Sequence, residues 1–311
     1  MNILFMGTPD FAVNSLKALH SAGHNISAVV TVPDKPRGRG HKMTHTPVYE
    51  EALKMNVPIY TPENLKRETF FDILNEISPD IIVVVAYGKI LPEYILNYPK
   101  YGCINVHASL LPKYRGAAPI QRSIIDGEKV TGVTTMYMAK GLDTGDMLLK
   151  TEVTIEDNDN FETLHDKLSD AGASLIVRTL EQLSNNSCKP QTQDDSLSTY
   201  AHMITKETCL IDWNKNAQDV HNLIRGLCPV PKAFTTYGEK QLKILSSRVS
   251  NNSSKEPSGT IISVNKDCFT VSCGEATTID IYSIQFEGKK PMSVSEYLKG
   301  NAIEEHLILG R

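Results

Sequence analysis

The chain has 311 residues, 41% of them hydrophobic and 22% charged, which is apolar material for about two domains and excludes intrinsic disorder over most of its length. Its longest apolar run, Ile81 to Tyr87, is far below the roughly 18 residues that argue for a membrane helix. The net charge of −4 means that any binding to nucleic acid must come from a local basic surface.

In chain order, NILFMG (2–7) predicts a buried strand, followed by Thr8 as a helix cap and Pro9 at the first helical position. Phe11, Leu16 and Leu19 mark that helix. ISAVVTV (26–32) predicts a second strand, and a long polar loop follows from Pro33 to about His45. DIIVVVA (80–86) is apolar on both parities, as expected where helices cover both faces of a parallel sheet. Further strands are predicted at 102–108 and 130–138. A helix begins near Phe161, entered through Asp159 or Asn160, with Leu164, Leu168, Ala171 and Leu175 on its core face. This alternation predicts an α/β fold with a doubly wound, mostly parallel, Rossmann-like sheet, whose ligands bind at the carboxyl ends of strands. We expect this first domain to span 1–189.

The polar, Pro190-containing stretch at 190–206 predicts a linker. Beyond it, a short helix (217–227) and β-rich runs at 233–237, 241–249, 259–264, 268–273 and 277–286 predict a second domain over 207–311, a small barrel or sandwich. The six cysteines have no C-x-x-C spacing, and His20/His24 and His41/His45 lack nearby carboxylate or cysteine support, so no metal is expected. No segment has the complete G-x-G-x-x-G fingerprint, so NAD is not expected either. Met1 to Phe5 runs directly into the first strand without a basic leader, which predicts a cytoplasmic enzyme.

The densest cluster of unusual residues is INVHASLLPKYRGAAPIQ (104–121). Asn105 and His107, two apart on a strand, point to the same side near its carboxyl end. The loop GLDTGD (141–146) supplies a carboxylate that could orient the imidazole. An amide, an imidazole and a carboxylate suit acyl transfer without a covalent intermediate: the amide donates to a developing oxyanion and the imidazole moves protons near neutral pH. Taken alone, a strand-end Asn and His are more often a structural hydrogen-bonding pair, and the aspartates are more often turn residues. The run DKPRGRGHK (34–42) is usually just a solvated loop.

GTPDFA (7–12), PDKPRGRG (33–40), VVAYGKILP (84–92), the 104–121 block, TGVTTMYMAKGLDTGDML (131–148) and IDWNKNAQDVHNLIRGL (211–227) stand in the order found in one family. Through these blocks nearly the whole chain resembles the methionyl-tRNA formyltransferases, within the wider class that uses 10-formyltetrahydrofolate. The resemblance implies formylation of the α-amino group of methionyl initiator tRNA. It makes Asn105, His107 and Asp143 the catalytic trio, and 1–189 the formyl-folate-binding catalytic domain. It places the folate co-substrate in a crevice formed by Ala86–Pro92, Ser109–Pro112 and Met138–Asp143, with Ala86, Tyr87, Gly88, Ile90, Leu91, Ser109, Leu110, Leu111, Pro112, Met138 and Gly141 as its contacts. It implies that loop 33–45 enters the acceptor arm of the tRNA, with Lys35, Arg37, Arg39 and Lys42 as contacts and Arg39 foremost. The second domain is expected to be an OB-like barrel that assists tRNA binding, although 207–311 carries 12 Lys+Arg against 12 Asp+Glu; Lys232, Lys240, Lys243 and Arg248 are its candidate basic face. We expect a monomer. Competing readings are a formyl-folate enzyme acting on a small amine, a formyl-folate hydrolase, and a non-catalytic tRNA-binding protein; the intact trio argues against the last.

Overall fold

The computed structural model describes residues 1–37 and 42–310. Its first half runs β1 (Asn2–Gly7), α1 (Phe11–Ser21), β2 (Asn25–Val30), β3 (Lys35–Arg37), β4 (Lys42–Thr44), α2 (Pro47–Lys54), β5 (Ile59–Tyr60), α3 (Arg67–Ile77), β6 (Ile81–Val85), α4 (Glu93–Leu96), β7 (Cys103–His107) and β8 (Arg115–Gly116). It continues through α5 (Pro119–Ile125), β9 (Val130–Tyr137), β10 (Met147–Thr154), α6 (Phe161–Ser184), β11 (Tyr200–Ala201) and α7 (Ala217–Gly226). The rest is β12 (Ala233–Tyr237), β13 (Lys240–Ser253), β14 (Ile261–Val264), β15 (Phe269–Ser272), β16 (Thr277–Phe286), β17 (Met292–Ser293) and α8 (Val294–Tyr297). Two compact units result. One comprises 1–116, 130–154 and 165–200; the other comprises 117–129, 155–164 and the chain from Ala201 onward.

The first unit is built on a seven-stranded sheet of order β10-β9-β7-β6-β1-β2-β5. The strands from β7 to β5 pair in parallel, whereas β9 is antiparallel to both β7 and β10. Both parities of β1 and β6 are buried because helices cover both faces. Leu4, Met6, Ala28, Val30, Ile82, Val84 and Cys103 pack with Phe70 and Leu74 of α3 and Ile95 of α4 on one face. On the other face Gly172 of α6 leaves no spare room, since a Cβ there would lie 3.0 Å from Val106 Cγ1.

Three local readings change. The first helix starts at Phe11, capped by the Asp10 carboxylate, while the Thr8 hydroxyl instead donates to the Tyr87 carbonyl at 2.9 Å. The stretch after β2 is not a simple loop, because β3 and β4 pair as an antiparallel hairpin. Its neck is closed by a buried Thr31–Thr46 hydroxyl pair at 2.8 Å and by His45 Nδ1, 2.8 Å from Asp34 Oδ2. The expected linker 190–206 is also structured up to Tyr200: Gln191 exchanges both backbone bonds with Met147, and Gln193 is buried. The Gln193 side chain satisfies internal backbone and guanidinium groups instead of facing water, which composition cannot distinguish.

The second unit carries an antiparallel sheet of order β12-β13-β16-β15-β14, with β17 beside β16. Three register shifts along β13 bend it and increase its twist, as expected of an OB-like strand. Trp213, Val220, Ile224, Ile244, Phe269 and Ile281 are among its core residues, and the Trp213 indole donates to Thr235 Oγ1 at 3.0 Å. The two excursions join this unit in ways no local periodicity reveals. Arg225 donates to the carbonyls of Glu156 and Asp159, and a Cβ on Gly226 would come within 2.8 Å of Ile125.

Candidate active site

Asn105 and His107 stand on the same side of β7, flanked by β6 and β9. His107 is buried, and its Nε2 lies 2.9 Å from the Tyr114 carbonyl. A carbonyl only accepts, so Nε2 carries the hydrogen, and Nδ1 faces Asp143 Oδ2 at 3.7 Å. Among the described residues the half-buried Asn105 carboxamide makes no hydrogen bond. Asn105 and His107 are therefore not a structural pair bonded to each other.

Asp143 reaches the imidazole because the loop after β9 doubles back. β9 is antiparallel, so Met138 sits beside the start of β7, its N–H donating to the Cys103 carbonyl at 2.8 Å. The chain then returns toward the His107 end. The return is tight at Gly145, where a Cβ would lie 1.7 Å from the Tyr137 carbonyl oxygen. Asp143 Oδ2 accepts the Gly116 N–H at 2.8 Å, which aims the carboxylate.

The segment after β7 is pinned from the neighbouring strands. Thr134 Oγ1 donates to the Ser109 carbonyl and accepts the Leu111 N–H; Lys150 Nζ donates to the Leu111 carbonyl; and Ser109 Oγ donates to the Lys113 carbonyl. Burial pushes the Lys150 ammonium below the ordinary lysine range. Of the positions expected around the folate, Tyr87, Leu91 and Leu111 are apolar core. Ala86, Gly88, Ile90 and Gly141 are exposed, and Ser109 is buried. Leu110, Pro112 and Met138 are half-buried. The Tyr87 hydroxyl is buried without a partner among the described residues, and burial raises it to about 12.

Lys35 and Arg37 lie on β3 and Lys42 on β4; Arg39 falls outside the described residues. In the second unit, Lys232 Nζ donates to Gln285 Oε1 at 2.7 Å, and Lys243 faces Gln285 across the β13–β16 ladder, so these two cations are neighbours. Arg248 lies over the Tyr282 ring. No group of three or more His, Cys, Asp or Glu side chains among the described residues is placed to hold a metal. No described helix is long and apolar enough to cross a membrane.

A family model described as formyl transferase matches residues 1–180, and one described as formyl transferase, C-terminal domain, matches 203–302. The methionyl-tRNA formyltransferase of Caldanaerobacter subterraneus subsp. tengcongensis is 52% identical over 99% of this chain and 100% of its own length. That of Alkaliphilus oremlandii is 51% identical over the full length of both. The chain belongs to the methionyl-tRNA formyltransferase family.

Solved structures share its fold. WlaRD, a sugar 3N-formyl transferase, superposes with a TM-score of 0.67 at 22% identity, covering 93% of this chain and 99% of its own. The methionyl-tRNA formyltransferase from Clostridium thermocellum superposes at 0.55 and 22% identity, covering 81% and 94%. Within this member of the family, sequence reasoning missed Thr134, Lys150 and Gln193, all of which support the loops around the candidate site. Thr134 lies within the 131–148 block but has no chemical signature of its own, and each of the three acts through a bond to backbone that only tertiary contact creates.

Proposed function

We propose that the chain transfers the formyl group of 10-formyltetrahydrofolate to the α-amino group of methionyl initiator tRNA. The full-length similarity to methionyl-tRNA formyltransferases supports the tRNA acceptor over a small amine or water. The observation that carries the chemistry is the Asn105 amide, without a partner among the described residues, beside an imidazole held between the Tyr114 carbonyl and Asp143.

In this reading the amine attacks the formyl carbon directly. Asn105 donates to the formyl oxygen as charge collects on it, an interaction whose loss typically costs about 10²–10³ in rate. His107 receives the amine's proton at Nδ1, which faces the Asp143 carboxylate. The bond from the formyl carbon to the folate nitrogen then breaks, and that nitrogen leaves with the proton that His107 returns. The new amide keeps the formyl group, so no covalent enzyme intermediate forms.

Ala86–Pro92, Ser109–Pro112 and Met138–Asp143 are proposed to hold the folate, and the 33–45 segment, with Lys35, Arg37, Arg39 and Lys42, the tRNA. The 207–311 domain assists through Lys232 and Lys243. The protein acts as a cytoplasmic monomer. The test is formylation of methionyl initiator tRNA beside an elongator control, with 10-formyltetrahydrofolate as donor. Product on the initiator supports the reading; folate consumption without formyl-methionyl product overturns it.

A further inference from the structure

Asp143 holds its carboxylate on a short loop with little to anchor it. Gly141 and Leu142 are exposed, and Asp143 itself has φ 51°, a left-handed conformation that local preference does not secure. The anchor comes from a segment whose composition suggested only a linker. Gln193 is buried, and its Nε2 donates to the Asp143 carbonyl at 2.7 Å and to the Gly145 carbonyl at 2.8 Å. Its Oε1 accepts from Arg115 Nε at 3.0 Å and Nη2 at 2.8 Å. Arg115, only 2% exposed, is oriented in turn by Asp195 Oδ1 at 2.7 Å and by its own N–H to the Thr199 carbonyl at 2.9 Å.

The four bonds of Gln193 define the direction of its amide. Reversed, its oxygen would face two carbonyls and its NH₂ group would face a guanidinium. Both hydrogens are therefore committed to the two carbonyls that bracket the Asp143–Gly145 turn. Arg115 adjoins Gly116, whose N–H aims the Asp143 side chain. One chain of bonds thus fixes both the backbone and the carboxylate of Asp143.

We propose that Gln193 is a positioning residue for formyl transfer, holding Asp143 in register with His107 through the Asp195–Arg115–Gln193 chain. This rests on the catalytic assignment of Asp143 made above. Gln193→Glu separates positioning from loss of packing. It keeps an oxygen toward Arg115 but turns the other against two carbonyls, expelling the loop while the arginine stays paired.

The experiment measures kcat and both KM values for wild type, Gln193→Glu, Asp143→Asn and the double variant. We expect Gln193→Glu to lower kcat at least tenfold with KM for folate and tRNA within twofold. In the Asp143→Asn background the same change should cost less than twofold further, because the carboxylate it positions is gone. Gln193→Met, which deletes all four bonds without adding charge, carries the same prediction if the glutamate variant does not fold. Wild-type kcat in the Gln193 variant beside an impaired Asp143→Asn overturns the proposal. An undiminished loss in the Asp143→Asn background also overturns it, since a general structural role would behave that way. Wild-type turnover by Asp143→Asn alone removes the assignment beneath it.

Discussion

Thr134→Val is the sharpest test of how the loop proposed to hold the folate is itself held. Thr134 is fully buried in β9, opposite His107 across the ladder. Its hydroxyl donates to the Ser109 carbonyl at 2.7 Å and accepts the Leu111 N–H at 3.1 Å. Valine has nearly the same shape and keeps the β-branch, so the change removes two hydrogen bonds without opening a cavity. It leaves one buried N–H and one buried carbonyl short of a partner, each costing about 1–3 kcal/mol. The carbonyl retains a second lone pair, so the sum lies at about 2–4 kcal/mol rather than at the upper bound. At roughly 2–4 °C per kcal/mol for a unit of this size, the melting temperature should fall by about 4–16 °C. The loop should also loosen in the folded enzyme, raising KM for 10-formyltetrahydrofolate about tenfold while KM for tRNA stays within twofold. Thermal unfolding followed by far-UV circular dichroism gives the first number, and initial-rate kinetics with each substrate varied in turn give the second. A melting temperature within 2 °C of wild type, together with an unchanged folate KM, would refute the reasoning.

Other expectations follow from the same geometry. Asn105→Ala should slow single-turnover formylation by about 10²–10³ while tRNA affinity stays near wild type; near-normal turnover would remove the amide from the mechanism. Arg39→Ala should raise KM for tRNA and leave folate affinity unchanged, and tRNA binding to the wild type should weaken steeply with salt. A flat salt response would exclude phosphate contacts. Burial pushes the Cys103 thiol from 9.0 up to about 12, so above pH 9 the unfolded chain loses a proton that the folded one keeps. Stability from this group is complete below pH 9 and declines toward pH 12, by about 1.4 kcal/mol per pH unit. Cys103→Ala should therefore flatten the fall in urea midpoint between pH 9 and 10.5. Parallel curves for the two proteins would contradict the assigned cause.

The sequence by itself determined the elements with strong local patterns. The doubly apolar run that became β6 could be satisfied only between two helical layers, and Asn105 and His107 share a side because strand residues two apart must. The short β-runs after Ala233 likewise announced the antiparallel second sheet. What only the tertiary structure decided depends on contacts between distant segments. The antiparallel course of β9 follows from its ladders to β7 and β10, and this turns the 138–146 loop back on itself until Asp143 reaches His107. Residues 117–129 and 155–164 join the second unit through α7, on whose partners their own sequence carries no mark. Gln193 looked like solvated linker because polar residues read the same whether they face water or a buried backbone. Periodicity reports which side of an element is apolar; it is silent on which distant carbonyl or guanidinium a polar side chain will satisfy.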